Sequence, residues 1–237
     1  MLEIKQFSKV YRNGKRAVND LNLTIEEGDL FAFIGHNGAG KTTTIKAIVG
    51  ILDFEEGDII IQGTSVKKDP IFCKKQLAYI PDNPDLYDNL TGIQYLNLIA
   101  DIYEVPKAQR AEIITKYANL FELTLELNNF ISSYSHGMKQ KLVIISAMVH
   151  SPKILVLDEP FVGLDPRAAF SVKQMMKEFC ASGGAIFFST HILEVAEKLC
   201  NKIAIIKNGE LIAMGNMDDM TKDASLEDVF LELTEHA

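Results

Sequence analysis

The chain has only three cysteines, no excess of basic residues, and no apolar run long enough to cross a bilayer. Cys73, Cys180 and Cys200 are odd in number and lack metal-ligand spacing. That argues against a disulfide framework or a thiolate zinc site, and fits buried thiols in a reducing, cytoplasmic compartment. The longest apolar run, Leu142–Val149, is interrupted by Ser146 and falls far short of the roughly 20 residues a spanning helix needs. Nothing near Met1 resembles the charged-then-apolar pattern of a secretory segment. A soluble chain is expected, held at any membrane by something other than itself. Lys and Arg number 24 against 32 Asp and Glu, for a net charge of −8. This balance argues against a broad electrostatic footprint for nucleic acid, and no such partner is expected. Internal repeats, low-complexity tracts and interdomain linkers are also missing.

What remains is an ordinary globular composition. The 237 residues are 47% hydrophobic and 24% charged, with a mean hydropathy of +0.06. Such a chain can bury one sizeable core, or a core plus a small subdomain.

Hydrophobic patterning predicts strands at Leu2–Val10 and Arg16–Ile25 around a turn at Asn13-Gly14, where positive φ angles are expected. Short strands follow at Leu30–Ile34, Ile59–Ile61 and Leu77–Ile80, with a helix over Thr42–Val49. The middle turns helical. Thr91 and Gln94 have capping-box spacing, and Ile93, Leu96, Ile99 and Tyr103 recur at helical intervals. After Pro106 a second helix places Ile113, Ile114, Tyr117, Leu120 and Phe121 on one face, and a third runs from Gly137 to about His150. Beyond Pro152, strands at Ile154–Leu157 and Ala185–Phe188 alternate with helices at Pro166–Phe179 and Leu193–Leu199. Ile203–Ile206 and Glu210–Ala213 flank a second Asn-Gly turn, and Ser225–Leu233 reads as an amphipathic helix. The fold class is α/β, with a mostly parallel sheet and a helical subdomain.

Gly35-His36-Asn37-Gly38-Ala39-Gly40-Lys41-Thr42 satisfies G-x-x-x-x-G-K-[ST] between a predicted strand and a predicted helix. Glycines let successive backbone N–H groups turn toward phosphate oxygens, and the following helix adds its positive end. Lys41 suits the β- and γ-phosphates, and Thr42 suits Mg²⁺. Ile154–Leu157 ends in Asp158-Glu159, where open α/β sheets place ligands. Asp158 fits the Mg²⁺ shell, and Glu159 fits orientation or deprotonation of an attacking water.

Tyr134-Ser135-His136-Gly137-Met138-Lys139-Gln140 comes shortly before that strand. With it the chain resembles an ATP-binding cassette (ABC) ATPase, whose signature is usually L-S-G-G-Q. The resemblance covers almost the whole chain and keeps family order: Tyr11, the phosphate loop, Tyr79-Ile80-Pro81-Asp82, the signature, Asp158-Glu159, Gly163-Leu164-Asp165 and His191.

The resemblance implies a P-loop NTPase (RecA-like) core with an N-terminal antiparallel β subdomain and an inserted α-helical subdomain. Residues 1–237 form one domain: core about 1–85 and 151–215, insert about 86–150, C-terminal helix about 225–235. It implies ATP and Mg²⁺ as ligands, with Thr42, Asp82 and Asp158 toward the metal and Thr43 beside the phosphates. Tyr11 stacks on adenine. Ser135, Gly137 and Met138 meet the ATP of a second subunit, and Asp165 communicates across that interface. Glu159 and His191 are catalytic, His191 reaching the γ-phosphate.

A homo- or heterodimer of ATPase subunits is implied, together with a transmembrane permease subunit that places the protein on the inner face of the cell membrane. Three positions depart from the pattern: Asp82 stands for Gln, His136 for Gly and Met138 for Gln. Y-S-x-G-M is similar to the export-type (ABC-2) branch, so the expected role is powering an exporter. The alternative is a soluble ABC ATPase assisting assembly, such as iron–sulphur cluster biogenesis.

Overall fold

A computed structural model of the protein describes residues 1–235; positions 236 and 237 of the expected domain lie outside the described residues. Strands β1 (Leu2–Val10) and β2 (Arg16–Ile25) pair antiparallel, Leu2 facing Ile25. They join β4 (Glu56–Ile61) and β5 (Thr64–Ser65) in a four-stranded sheet ordered β2-β1-β4-β5. The turn between β1 and β2 departs from the expectation. Gly14 has φ 81°, but Asn13 does not enter the left-handed region, and Tyr11 and Lys15 close a longer loop. The register shifts along β1 and β2 supply a reason, since a bulged ladder does not present the flat ends a two-residue turn must join.

The second sheet carries the strands that read as continuous apolar runs. β3 (Leu30–Ile34), β6 (Leu77–Ile80), β7 (Ile154–Asp158), β8 (Ala185–Thr190) and β9 (Lys202–Lys207) run parallel, with β10 (Glu210–Asn216) antiparallel at the edge. The order is β10-β9-β3-β8-β7-β6. Both faces of β3, β7 and β8 are covered, which is why they show no polar alternation. β9 and β10 meet at Asn208-Gly209, where both residues are left-handed, with φ 51° and 86°. Here the two-residue turn forms as expected.

Alternate residues of the parallel strands feed two cores. Phe31, Phe33, Ile154, Val156, Phe187 and Ile206 face β1, β2, β4 and helix α1 (Lys41–Ile48). Phe187 lies against Phe31 and Phe33 at 5.9 and 5.2 Å. Each fully buried ring contributes about 1.5–3 kcal/mol of transfer free energy. Ala32, Ile34, Leu155, Leu157, Ile186 and Phe188 face the helices on the other side.

Between β6 and β7 lie α3 (Gly92–Ile102), α4 (Lys107–Leu120) and α5 (His136–Met148). Thr91 closes the capping box on α3 with Gln94, as expected. The predicted apolar face of α4 meets the core: Ile114 and, just past the helix, Phe121 are buried, and Ile113, Tyr117 and Leu120 are half-buried against them. α5 begins one residue earlier than expected, capped by Ser135, and everything from Leu142 to Val149 is buried. The remaining helices are α2 (Pro70–Gln76), α6 (Pro166–Ala181), α7 (Leu193–Leu199), α8 (Met217–Met220) and α9 (Leu226–Glu235). Neither α2 nor α8 was expected, although Asp69-Pro70 is a cap-and-start signal for α2. Among the described residues no helix is long and apolar enough to cross a membrane.

Candidate active site

β3 delivers the chain into the glycine loop at the C-terminal edge of the parallel sheet. Two glycines there are set by crowding. A Cβ on Gly35 would lie 2.3 Å from the Ile206 carbonyl oxygen, and one on Gly40 would lie 2.6 Å from that of Ala17. Gly40 also has φ 113°, which L side chains rarely adopt. Gly38 has open space around it, so only its φ of 83° calls for glycine. The Gly209 N–H donates to the Ala39 carbonyl at 2.9 Å, fixing the back of the loop to the β9–β10 turn.

Lys41 is 7% exposed. Its ammonium donates to the carbonyl of Gly35 at 2.6 Å and of His36 at 3.3 Å. Burial lowers its pKa below the ordinary lysine value, opposed by the nearby charges of Glu159 and Asp158. Carbonyl oxygens do not neutralise a buried ammonium, which leaves its charge available to an anion.

The carboxylates leave β7 side by side. Asp158 is buried and accepts a hydrogen bond from the Ser189 hydroxyl on β8. Glu159 sits at φ 49°, and its N–H donates to the Ser189 carbonyl at 3.2 Å. A left-handed glutamate costs about 1–2 kcal/mol, and such strain gathers at functional sites. Glu159 Oε1 lies 2.9 Å from His191 Nδ1, so the residue just past β8 grips the carboxylate.

A cleft of 280 Å³ gathers Tyr11, Asn37, Gly38, Gly40, Lys41, Thr42, Thr43, Asp82, Asp158 and Glu159, together with Lys15 and Ala17. Tyr11 is 38% exposed and shares a hydrogen bond with the Thr43 hydroxyl at 3.2 Å. Asp82 Oδ1 accepts from the Asn83 N–H at 2.8 Å. Neighbouring Tyr79 has its pKa pushed up to about 12, by burial first and then by Asp158 and Asp82.

A second cluster stands apart. Ser135, Gly137, Met138 and Asp165 do not line the cleft. Ser135 Oγ accepts from the Met138 N–H at 3.3 Å, capping α5. Asp165 caps α6, accepting from the N–H groups of Arg167 and Ala168 at 2.9 Å, and lies 3.8 Å from Lys141 Nζ. Those backbone hydrogen bonds, Ala168's first, hold the Asp165 carboxyl below the ordinary value. His136 packs on the loop before α6, where a Cβ on Gly163 would meet its ring at 2.2 Å. A glycine opposite thus accommodates the His that replaces the usual Gly of the signature.

Sequence reasoning missed Ser189 and Lys141, whose roles depend on contacts across strands and helices. Ser189 opens the Ser-Thr-His run that drew attention only for its histidine.

Four findings relate this geometry to known proteins. Residues 18–162 match the family model described as ABC transporter. The ABC-type transporter ATP-binding protein EcsA of Bacillus subtilis (strain 168) is 35% identical over 239 residues, spanning 99% of this chain and 96% of EcsA. OpuCA of the same organism, a glycine betaine/carnitine/choline transport ATP-binding protein, is 32% identical across 96% of this chain and 60% of its own length. A solved ATP binding subunit of an ABC transporter superposes with a TM-score of 0.94 at 37% identity, covering 99% of both chains.

Proposed function

The chain belongs to the ABC transporter family as an ATP-binding subunit, and from that premise we propose how its own residues hold and hydrolyse ATP. The subunit is an ATPase. One observation carries the proposal: a single cleft gathers phosphate loop, Tyr11 and both carboxylates, while the Ser135 cluster lies outside it.

Tyr11 stacks on adenine, and the N–H groups of the loop meet the phosphates. Lys41 leaves the Gly35 and His36 carbonyls for the β- and γ-phosphate oxygens. Glu159, gripped by His191, orients the attacking water and takes its proton as the bond to the leaving ADP breaks. Ser135, Gly137 and Met138 of a second subunit close over the γ-phosphate, with Asp165 beside that interface. Two ATP molecules then hold a head-to-tail dimer closed, and hydrolysis releases it.

Mg²⁺, when bound, neutralises charge on the β- and γ-oxygens. Thr42 and the buried Asp158 fit it as protein partners, with Asp82 acting through water. Among the described residues no group of three His, Cys, Asp or Glu is arranged to hold a metal.

Glu159→Gln tests the assignment. Turnover falls about 10²- to 10⁴-fold, ATP binding persists, and the ATP-bound dimer lives longer. Phosphate release at the parent rate would remove Glu159 from its role.

The work goes to a separate transmembrane permease. A cleft of 180 Å³ lined by Tyr79, Pro81, Tyr95, Ile99, Tyr103 and His150 lies between β6 and the inserted helices, suited to a coupling helix. The chain is then cytoplasmic and peripheral on the membrane. Sedimentation with membranes only when a spanning subunit is co-expressed supports this; a stable complex without one points to an assembly role. The Y-S-x-G-M signature supports export, which predicts ATP-driven cargo uptake into inside-out vesicles and not into right-side-out ones.

A further inference from the structure

The phosphate loop has a third support besides β3 and the β9–β10 turn. His36, the first residue after Gly35, does not line the nucleotide cleft. Its ring packs instead on Phe230 of α9, with centroids 5.0 Å apart and planes tilted by 59°. Phe230 is 7% exposed, so the contact is made by a seated ring rather than a loose one. α9 is fastened at both ends. The Leu226 N–H donates to Glu197 Oε2 on α7 at 2.9 Å, and Lys207 Nζ at the end of β9 donates to the Thr234 carbonyl at 2.6 Å. The residue before Lys207 is Ile206, whose backbone and side chain crowd Gly35 and Gly40 from below. The end of β9 therefore supports the underside of the loop and also anchors the helix that touches its rim.

We infer that Phe230 is a positioning residue for ATP binding: through His36 it fixes the rim of the phosphate loop, making the last helix part of the nucleotide site. The inference rests on the assignment of that loop to ATP. Its physical basis is the conformational freedom of the loop. His36 is otherwise exposed, and its carbonyl is one of the two that hold Lys41 before phosphate arrives. Pinning the His36 ring restricts the rotation of the neighbouring peptides. Their N–H groups are then arranged in advance, and less ordering remains to be done when ATP enters. An aromatic pair of this geometry corresponds to about a threefold to tenfold change in an equilibrium constant. Phe230 touches no reacting atom, so its influence falls on binding and not on the bond-breaking step.

The test is a double-mutant cycle on ATP affinity in the full-length chain, with Glu159→Gln as background so that nucleotide is not consumed. Phe230→Ala and His36→Ala are each expected to raise the Kd for ATP about threefold to tenfold, and together no further. Phe230→Tyr, which keeps the ring, restores the parent affinity. In the hydrolysing protein Phe230→Ala raises KM for ATP and leaves kcat within about twofold. A merely structural Phe230 would lower the melting temperature without this split and without rescue that tracks His36. Should Phe230→Ala unseat α9 altogether, His36→Ala alone decides, because an exposed side chain is removed without opening the core. Parent-like affinity in His36→Ala, or additive effects of the two substitutions, overturns the inference. Failure of the underlying assignment looks different: the background protein and its Lys41→Ala derivative would then be equally indifferent to ATP.

Discussion

The two polar clusters that flank β7 are built in opposite ways. The cleft around Lys41 rests on β3, β7 and β8, strands buried on both faces, and its key groups are fixed by contacts within the chain. The cluster around Ser135 consists of two helix starts, α5 and α6, capped by Ser135 and Asp165 and tied together by His136 over Gly163. The first is a cleft whose lining is held in place within one chain. The second lies outside the cleft, and under the proposed function it is a second subunit that brings these capped helix starts to the ATP. On that proposal, binding and completion of the site are separable, and substitutions should separate them.

The sharpest break comes from Lys41→Ala. Removing a buried, charge-assisted donor is expected to weaken ATP binding by roughly 10- to 100-fold in the isolated subunit, measured by titration calorimetry. A parent-like Kd would mean that the ammonium does not reach phosphate. Next in size is Ser135→Ala. Loss of the cap costs about 1 kcal/mol of stability, while ATP affinity of the monomer stays at the parent value and ATP-dependent dimerisation, followed by light scattering, weakens roughly tenfold. An equal loss of monomer affinity would contradict the separation of the two clusters. The smallest effect belongs to Asp82. Both Asp82→Gln and Asp82→Ala should shift the Mg²⁺ concentration for half-maximal turnover by about threefold, on the order of a single water-mediated contact. Titration curves superimposable on the parent would remove Asp82 from the metal's surroundings.

Legibility along the sequence follows the range of the interactions involved. The glycine loop is contiguous, and the strand before it is a plain apolar run, so the loop and the strand and helix that flank it were readable. Capping at Thr91 acts over three residues and was equally visible, whereas the caps at Ser135, Asp165 and Asp69 follow the same short spacing and emerged only in the structure. The two Asn-Gly pairs show where such reasoning stops. Asn208-Gly209 forms the two-residue turn, while Asn13-Gly14 does not, because the bulged pairing of β1 with β2 sets the ends that the loop must join. Local signal was the same, and the sheet made the difference.

From the sequence alone came the α/β class, the glycine loop between strand and helix, the adjacent carboxylates at the end of a strand and the capping box at Thr91, because each depends on residues close together in the chain and on backbone preferences that operate there. The tertiary structure alone decided that Ser189 holds Asp158, that His136 lies over Gly163, and that Phe230 reaches back to His36. Those contacts join segments remote in sequence. Which remote segments meet is settled by how the two cores pack on the faces of one sheet, and no local pattern records it.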